Sequence, residues 1–345
     1  MRIGLGVTIG LVAGSFSMAP ASAVQNDIRE GTLFDSADPL LLTITTDLQT
    51  VIRDIDSVEQ REYPGRLSYT TTAGATVDLD IQLRTRGHFR RQRRNCNFPP
   101  LRVNLKKGQL AGTVFANQDK LKLVTHCQMG REDYEQNVLK EYLAYRVYNR
   151  LTVIGHRVRL AQITYLDTTD RMEPRTRYAF FIEHEDHLAD RLEGNVLEQP
   201  VSAQTMNPDL MGIVDVFSYM VGNTDWSVPG LHNVLIIQTE HDLLPIPYDF
   251  DWTGLVNARY AEPDPNLHLR SVRDRLYRGT CREPEDFQYI FEWFIEQRDT
   301  IYAEIAAVPG LSERNTVDVT EYIDDFYETL TDPRAVRREF LERCS

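Results

Sequence analysis

The chain has 345 residues, a formal net charge of −13 at pH 7, and a hydrophobic fraction of 42%. An acidic balance of this size argues against non-specific nucleic-acid binding, because the phosphate backbone is itself negative. The length fits one large bilobal domain or two packed domains.

Residues 1–23 predict a secretory signal peptide. Arg2 gives a minimal positive start, an apolar run extends from Ile3 to Phe16, and the small-x-small sequence "ASA" ends at Ala23. The run is too short to span a bilayer comfortably, so we expect cleavage after Ala23, with an uncleaved anchor as the alternative. No later segment approaches about 18 uncharged apolar residues. We therefore expect a secreted or periplasmic protein without a transmembrane segment after cleavage.

Four cysteines make an even count, which in an exported protein predicts two disulfides. Their order along the chain favours Cys96 with Cys127 and Cys281 with Cys344, because either other connectivity would tie the two halves of the chain together. None lies in a CxxC pair, which argues against zinc binding and thioredoxin chemistry.

The first half of the chain predicts strands and one helix. Asp133 opens the helix, which runs through Leu151 with apolar residues at i+4 spacing on one face. Alternation and β-forming residues predict an antiparallel sheet and a following strand pair, at Leu67–Thr72, Thr76–Arg84, Leu101–Leu105, Arg157–Leu166 and Tyr178–Glu183.

The second half is predicted to be mainly helical around one hairpin. Asn207 caps a helix that starts at Pro208 and ends at Gly222. The hairpin joins Val234–Gln238 to Leu243–Tyr248. At least two amphipathic helices follow the hairpin.

Acidic residues flank the predicted hairpin. Asp225 precedes it, and Asp249 and Asp251 follow it in the sequence "YDFDW". Because a hairpin brings its ends together, we expect Asp225, His232 and Asn233 to lie near the acidic pair. Alternation in an extended strand would place Asp249 and Asp251 on one face. These hard oxygen donors predict a Mg²⁺ or Mn²⁺ site rather than a zinc site.

The order of elements is that of a bilobal protein-kinase-like α+β fold. A β-rich lobe with one main helix precedes a mainly helical lobe whose hairpin joins a catalytic loop to a metal-binding aspartate. The predicted domains are the signal peptide (1–23), the β-rich lobe (24–186) and the helical lobe (187–345).

Several segments resemble the CotH kinase family, the atypical kinases typified by spore-coat proteins. "GNTDW…HN" is similar to the family's catalytic-loop segment, and "PIPYDFDW" to its metal-binding segment. Upstream, "LRTRGHFRRQRRNCNFPPLRVNL", "KLKLVTHC…NVLKEYLAYRVYNRL" and "VRLAQITYLD…RYAFFIEHED" resemble successive elements of the same family. The resemblance covers roughly residues 78–254.

The resemblance implies specific roles for four residues of the two acidic segments. Asp225 would be the catalytic aspartate that accepts or orients the proton of the acceptor hydroxyl, Asn233 a metal-binding amide, and Asp249 the principal metal ligand with Asp251 beside it. Phosphoryl transfer requires these residue types because it depends on positioning and charge neutralisation.

The sequence departs from the family where a lysine-rich run is expected. Arginines occupy that run, and we choose Arg86, beside Gly87, as the phosphate-binding residue. Lys120 and Lys122 are the nearest lysines for the same role. Glu135 or Glu141 would pair with whichever base is used. Glu183 would lie near the nucleotide base, with a buried salt bridge as its alternative role.

Three functions remain open on these residues. The first is a secreted CotH-like kinase that uses Mg²⁺ or Mn²⁺ and transfers a phosphoryl group from a nucleotide, expected to be ATP, to a protein hydroxyl. The second is a catalytically weak binding or structural module of the cell envelope whose acids hold a structural cation. The third is a metal-dependent phosphoester hydrolase. The expected partners are a nucleotide and a protein substrate, and the oligomeric state is open.

Overall fold

The computed structural model describes residues 33–55, 58–59 and 61–344, so the predicted signal peptide lies outside the described residues. Within that part of the chain, no helix is long and apolar enough to cross a membrane. The strands are β1 (Leu40–Thr46), β2 (Tyr63–Thr70), β3 (Thr76–Thr85), β4 (Leu101–Leu105), β5 (Lys120–Val124), β6 (Val158–Asp167), β7 (Arg175–Ile182), β8 (Asn195–Val196), β9 (Val234–Gln238) and β10 (Leu243–Pro247). The helices are α1 (Leu48–Arg53), α2 (Glu132–Leu151), α3 (Glu185–Arg191), α4 (Pro208–Val221), α5 (Pro284–Glu296), α6 (Arg298–Ala307), α7 (Glu313–Thr331) and α8 (Pro333–Val336).

Seven strands close into a barrel in the order β1-β2-β3-β4-β5-β7-β6. Six of the seven contacts between neighbouring strands are antiparallel; the exception is β1 with β6, which are parallel from Leu40 opposite Ala161 to Thr46 opposite Asp167. In β3, Leu79, Ile81 and Leu83 are buried and alternate with more exposed residues. Alternation of this kind fills the barrel with apolar side chains.

The helical half packs against the outside of the barrel through α2. Leu139, Leu143 and Val147 of α2 belong to one buried cluster with Phe180 of β7 and Phe217 of α4. Helix α2 contacts the barrel on one side and helices α4 and α6 on the other, and these contacts bury most of its surface. The barrel's outer wall and the helices therefore share a core.

This architecture corrects the predicted bilobal protein-kinase-like fold. The first half is a closed, mixed seven-stranded barrel, accompanied by eight α-helices in the described residues, and it is not the open antiparallel sheet of a separate small lobe. The missed strand β1, with the sequence LLLTITT, is the physical reason, since it pairs with both β2 and β6 and closes the sheet. Helix α3 (Glu185–Arg191) also runs across the predicted domain boundary at residue 186.

Both predicted disulfides are confirmed. Cys96 is bonded to Cys127, 31 residues along the chain, and Cys281 to Cys344, 63 residues along the chain. The first anchors the loop between β3 and β4, and the second attaches the C-terminal end to the segment before α5. Two disulfides fit a protein that folds outside the reducing cytosol.

Two glycines fix the end of α4 against the acidic segment that follows the hairpin. Gly222 caps α4 in the left-handed region (φ +66°), which Gly tolerates without strain. Its carbonyl accepts the N–H of Gly254 at 3.1 Å, and a Cβ at Gly222 would meet the Gly254 Cα at 3.2 Å as well as the hydroxyl of Tyr322. The start of the loop that carries Asp225 is therefore held against the residues that directly follow the turn that carries Asp251.

Candidate functional site

A cluster of three carboxylates lies where α2 meets the turn after β10. Glu141 of α2, Asp249 and Asp251 each offer an oxygen, and these oxygens all lie within 4.8 Å of one another. Glu141 is 1% exposed and Asp251 4%, whereas the Asp249 side chain is 43% exposed. The cluster is therefore buried on one side and open to solvent at Asp249.

Arg90 lies against all three carboxylates. Its Nη1 donates to Glu141 Oε2 at 3.1 Å, its Nη2 lies 3.4 Å from Asp249 Oδ1, and its Nε lies 3.3 Å from Asp251 Oδ2. Glu141, one of the two acids expected to pair with the phosphate-binding base, is paired with Arg90 rather than with Arg86. Glu135 instead accepts the backbone N–H of Tyr178 at 2.5 Å.

Asp249 and Asp251 are brought together by a turn, which corrects the predicted extended strand. Asp249 has a left-handed backbone (φ +62°), and a short 3₁₀ turn covers Phe250–Trp252. The Asp249 N–H donates to the buried hydroxyl of Tyr145 at 2.9 Å. Because Glu141 and Tyr145 are four residues apart on α2, one face of the helix supplies both a carboxylate and the group that holds Asp249.

Aromatic side chains fix the opposite side of the cluster. The hydroxyl of Tyr260 donates to Asp251 Oδ2 at 2.8 Å. The Phe89 ring packs on Trp252 and on Tyr260, with ring centroids at 5.2 and 5.4 Å. The loop that carries Arg90 is thereby packed against the turn that carries Asp251.

The cluster holds more negative charge than Arg90 can balance. Burial, reinforced by the neighbouring Asp249 and Glu141 carboxylates, raises the pKa of Asp251 well above its usual range, although Arg90 acts against the rise. Burial also raises the pKa of Glu141, again opposed by Arg90. Carboxylates with raised pKa values in one pocket indicate a site where an added cation would be stabilised.

The donor set can hold a metal ion. All three ligands are carboxylates, the hard oxygen donors that Mg²⁺ and Mn²⁺ prefer. Oxygens bound to one Mg²⁺ at about 2.1 Å lie about 3–4 Å apart, so the present spacing requires only a small contraction. The excess of negative charge in the carboxylate cluster also favours the binding of a divalent cation.

Two further bases lie beside the cluster. Arg86 has its pKa lowered by burial while the nearby Asp249 acts in the opposite direction, and it forms no ion pair with any residue that the structure describes. Lys122 Nζ binds Glu185 at 3.0 Å and lies 5.7 Å from the centroid of the Tyr248 ring. Arg86 is therefore a cation next to Asp249 that is still available for an anion.

Asp225 is held by the two residues that the sequence placed near it. His232 Nε2 lies 2.8 Å from Asp225 Oδ1, and the Asn233 amide donates to Asp225 Oδ2 at 3.0 Å. Asn233 also accepts the N–H of Tyr248 through its carbonyl at 3.0 Å. Asp225 is thus linked through Asn233 to the residue before Asp249, and its side chain is 40% exposed.

A cavity of about 410 Å³ opens between β5, β9 and the residues around Tyr248, with Lys122 and Glu185 on its polar side. His156 also lines it and is 3% exposed. Its Nδ1 lies 3.0 Å from the carbonyl oxygen of Glu183, so Nδ1 carries the proton and Nε2 is a hydrogen-bond acceptor. Burial lowers the pKa of His156 to about 4, which keeps the ring neutral.

Lys120 and Glu183, which were predicted to bind the nucleotide, do not contact the carboxylate cluster. Lys120 is exposed at the start of β5. Both carboxylate oxygens of Glu183 bind Arg191, at 3.1 and 2.8 Å, and one also accepts the N–H of Arg157, which is the alternative salt-bridge role. Sequence reasoning did not assign Glu141 or Arg90 to the acidic cluster, nor His156 to a cavity.

No model of a known protein family matches the chain, and no curated protein matches it either.

Proposed function

We propose that this protein is a metal-dependent phosphotransferase that moves the terminal phosphoryl group of a nucleoside triphosphate, ATP by preference, to a hydroxyl of a protein. The observation that carries the proposal is the convergence of Glu141, Asp249 and Asp251 beside two cationic side chains, Arg86 and Arg90. Phosphoryl transfer requires this combination, because catalysis consists mainly of positioning and charge neutralisation. The proposal does not depend on a protein-kinase fold, and the resemblance to the CotH kinase family stays a prediction.

The residues divide the chemistry between them. A Mg²⁺ or Mn²⁺ held by Glu141, Asp249 and Asp251 would neutralise phosphate charge. Arg86 binds the phosphate oxygens, and Arg90 opposes the rise that burial causes in the pKa values of Glu141 and Asp251. The acceptor hydroxyl oxygen bonds to the γ-phosphorus, the bond to the β–γ bridging oxygen breaks, its electron pair leaves with the nucleoside diphosphate, and the hydroxyl proton passes to Asp225.

The cavity beside Lys122 is the proposed site of the nucleobase. Apolar side chains such as Leu231, Val234 and Ile236 line one part of it and suit the face of a heterocycle, polar side chains line the rest, and it adjoins the cluster through Tyr248. Neutral His156 offers an acceptor for an exocyclic amino group, which adenine has and guanine lacks at the same ring position. Lys122 lines the cavity, and Arg86 lies near both Lys122 and Asp249.

The test compares two variants with different expected defects. Asp249→Asn should abolish Mg²⁺-dependent incorporation from γ-labelled ATP into protein and weaken metal binding, so that excess Mn²⁺ restores part of the activity. Asp225→Asn should abolish incorporation while calorimetry still shows nucleotide and metal binding, because Asp225 orients only the acceptor. Asp209→Asn, an exposed acid in the first turn of α4, is the matched control.

The same assay, with α-labelled ATP as a second substrate, distinguishes the alternatives. Incorporation from the α-label alone would replace phosphoryl by nucleotidyl transfer. Release of inorganic phosphate without an acceptor would favour the phosphoester hydrolase. No incorporation from either label, together with no nucleotide binding, would refute the proposal.

A second candidate is a binding module in which the cluster is a structural ion-pair network. The observation in its favour is Arg90, which already contacts all three carboxylates. On that account Asp249→Asn would lower the thermal stability markedly and change no activity. On the phosphotransferase account the fold survives, since residues of functional sites are commonly not optimised for stability.

A further inference from the structure

One stretch of this acidic chain is free of acids. Between Asp80 and Asp119 there is no Asp or Glu, whereas nine of the chain's 38 Lys and Arg residues lie there. The centre of the stretch is the loop between β3 and β4, in which Arg91, Arg93 and Arg94 fall within four residues. We call residues 88–97 the arginine loop.

Arg90 is paired with the carboxylate cluster, but the other three arginines of this loop have no acidic partner among the described residues. Within the described residues, none of Arg91, Arg93 and Arg94 forms an ion pair at 4.0 Å or less, and Arg93 and Arg94 are exposed. Elsewhere in the same stretch Lys106 and Lys107 do find partners, Asp80 at 3.3 Å and Asp119 at 3.4 Å. The positive charge of the loop is therefore unbalanced in a chain whose net charge is −13.

The loop is held in one conformation. The Cys96–Cys127 disulfide closes one end, and Arg90 is fixed at the other end by the carboxylate cluster. Between them, the Asn95 amide donates to the carbonyl of Phe89 at 2.8 Å, and the Cys96 N–H donates to the carbonyl of Gln92 at 3.0 Å. A preorganised backbone leaves only the arginine side chains to be ordered on binding.

The loop also adjoins the candidate site. Arg90 contacts the carboxylates directly, and Arg94 is four residues away, which is at most about 15 Å along the backbone. A partner bound to the three arginines would lie within about five extended residues of the cluster. The loop is therefore placed to hold the acceptor rather than a distant molecule.

We infer that the arginine loop docks an acidic segment of the acceptor polypeptide, with Asp or Glu side chains within about five residues of the hydroxyl that receives the phosphoryl group. This inference rests on the proposed function for the identity of the partner. Arginine is suited to the task because its planar guanidinium binds carboxylates through two hydrogen bonds. The unbalanced charge of the loop attracts such a segment against the overall negative charge of the protein.

The test is peptide binding measured without nucleotide or metal, on the oxidised full chain. A fluorescent peptide with one Ser flanked by Glu is compared with the same peptide carrying Gln at every Glu position. The triple variant Arg91→Gln, Arg93→Gln, Arg94→Gln removes the loop charge. The triple variant Arg53→Gln, Arg314→Gln, Arg334→Gln is the control, since it removes the same charge from exposed arginines outside the stretch.

The wild-type chain and the control variant should bind the Glu peptide about tenfold more tightly than the Gln peptide, and added salt should remove the difference. The loop variant should bind both peptides equally weakly. Equal binding of the two peptides by the wild-type chain, or unchanged selectivity in the loop variant, overturns the inference. So does binding of an oligonucleotide or inorganic polyphosphate as tight as that of the Glu peptide, which would make the loop a general anion surface.

This readout separates the inference from the proposed function. Selective binding of the Glu peptide without any phosphoryl transfer would refute the phosphotransferase while leaving the docking surface in place. Phosphoryl transfer with no preference for acidic acceptors would support the phosphotransferase and refute the docking surface.

Discussion

Replacement of Arg90 by methionine tests whether the carboxylate cluster is held together by one guanidinium. Methionine keeps part of the side-chain volume and removes the charge. Glu141 and Asp251, at 1% and 4% exposure, would then lose the cation that contacts both of them. Removing one partner of a buried ion pair destabilises a protein by about 3–5 kcal/mol.

That loss translates into a measurable shift of the melting temperature. About 300 ordered residues, at about 2.1 cal/mol/K each, give an unfolding entropy near 0.6 kcal/mol/K. The expected decrease in Tm is therefore about 5–8 °C. Differential scanning calorimetry at near-neutral pH, with EDTA present, measures it.

The shift should depend on pH in a defined direction. The folded-state pKa of Asp251 lies well above its usual value, so its contribution to stability is present at acid pH and lost as pH rises through that pKa. Without Arg90 the pKa rises further. The destabilisation should then be smaller at about pH 5 than at about pH 8. Mn²⁺ should restore part of the stability of the variant if the three carboxylates can hold a cation.

The control is an exposed pair of the same chemistry. Arg131 binds Asp133 at 2.8 Å with both side chains more than 40% exposed, so Arg131→Met should change stability by no more than about 1 kcal/mol. If the two variants melt at the same temperature, Arg90 does not hold the buried cluster and the electrostatic account of the site is wrong.

Three further outcomes are expected. Burial raises the pKa of Asp215 from 3.8 to about 6, so its stabilising contribution of up to about 3 kcal/mol is present at acid pH and is lost as pH rises. Asp215→Asn should therefore make the free energy of unfolding less dependent on pH between about pH 4 and about pH 6, as measured by thermal melts at several pH values. The double change Cys96→Ser, Cys127→Ser should lower stability by about 4 kcal/mol in the chain-entropy model, since the bond closes a loop of 31 residues; denaturant titration of the oxidised proteins is the measurement. Lys122→Met should weaken ATP binding about tenfold in calorimetry and leave the melting temperature nearly unchanged, because the ion pair of Lys122 with Glu185 is part-exposed. An unchanged ATP affinity would show that the nucleobase does not bind in this cavity.

Local patterns predicted α2, α4, two amphipathic helices after the hairpin and the hairpin itself, but they did not predict α1, α3, α6 or α8. They also did not predict pairing between distant strands. The cap at Asn207 and the left-handed Gly222 mark the ends of α4 where they were predicted. Strand β1 was missed, because a short run of apolar and β-branched residues does not reveal a partner 121 positions away, as Leu40 and Ala161 are. The closed barrel could not be inferred without that strand.

The sequence identified two of the acidic residues of the candidate site but not the backbone conformation that brings them together. "YDFDW" identified Asp249 and Asp251, yet the left-handed backbone of Asp249 replaced the expected strand. Glu141 was considered only as the partner of a base; its spacing of four residues from Tyr145 is the signal that would have placed it on the face of α2 towards the acidic turn. Among the arginines of the run, only tertiary structure shows that Arg90 is the one at the carboxylates.

The parallel pairing of β1 with β6 imposes an order of events on synthesis. About 120 residues separate the paired positions, so at about 5–20 residues per second the first strand waits some 6–24 s for its partner. Until Val158–Asp167 has been made, the nascent sheet has two open edges, and open edges can pair with other chains. Any truncated product that ends before β6 therefore keeps β1 without its parallel neighbour, however well β2, β3, β4 and β5 have formed.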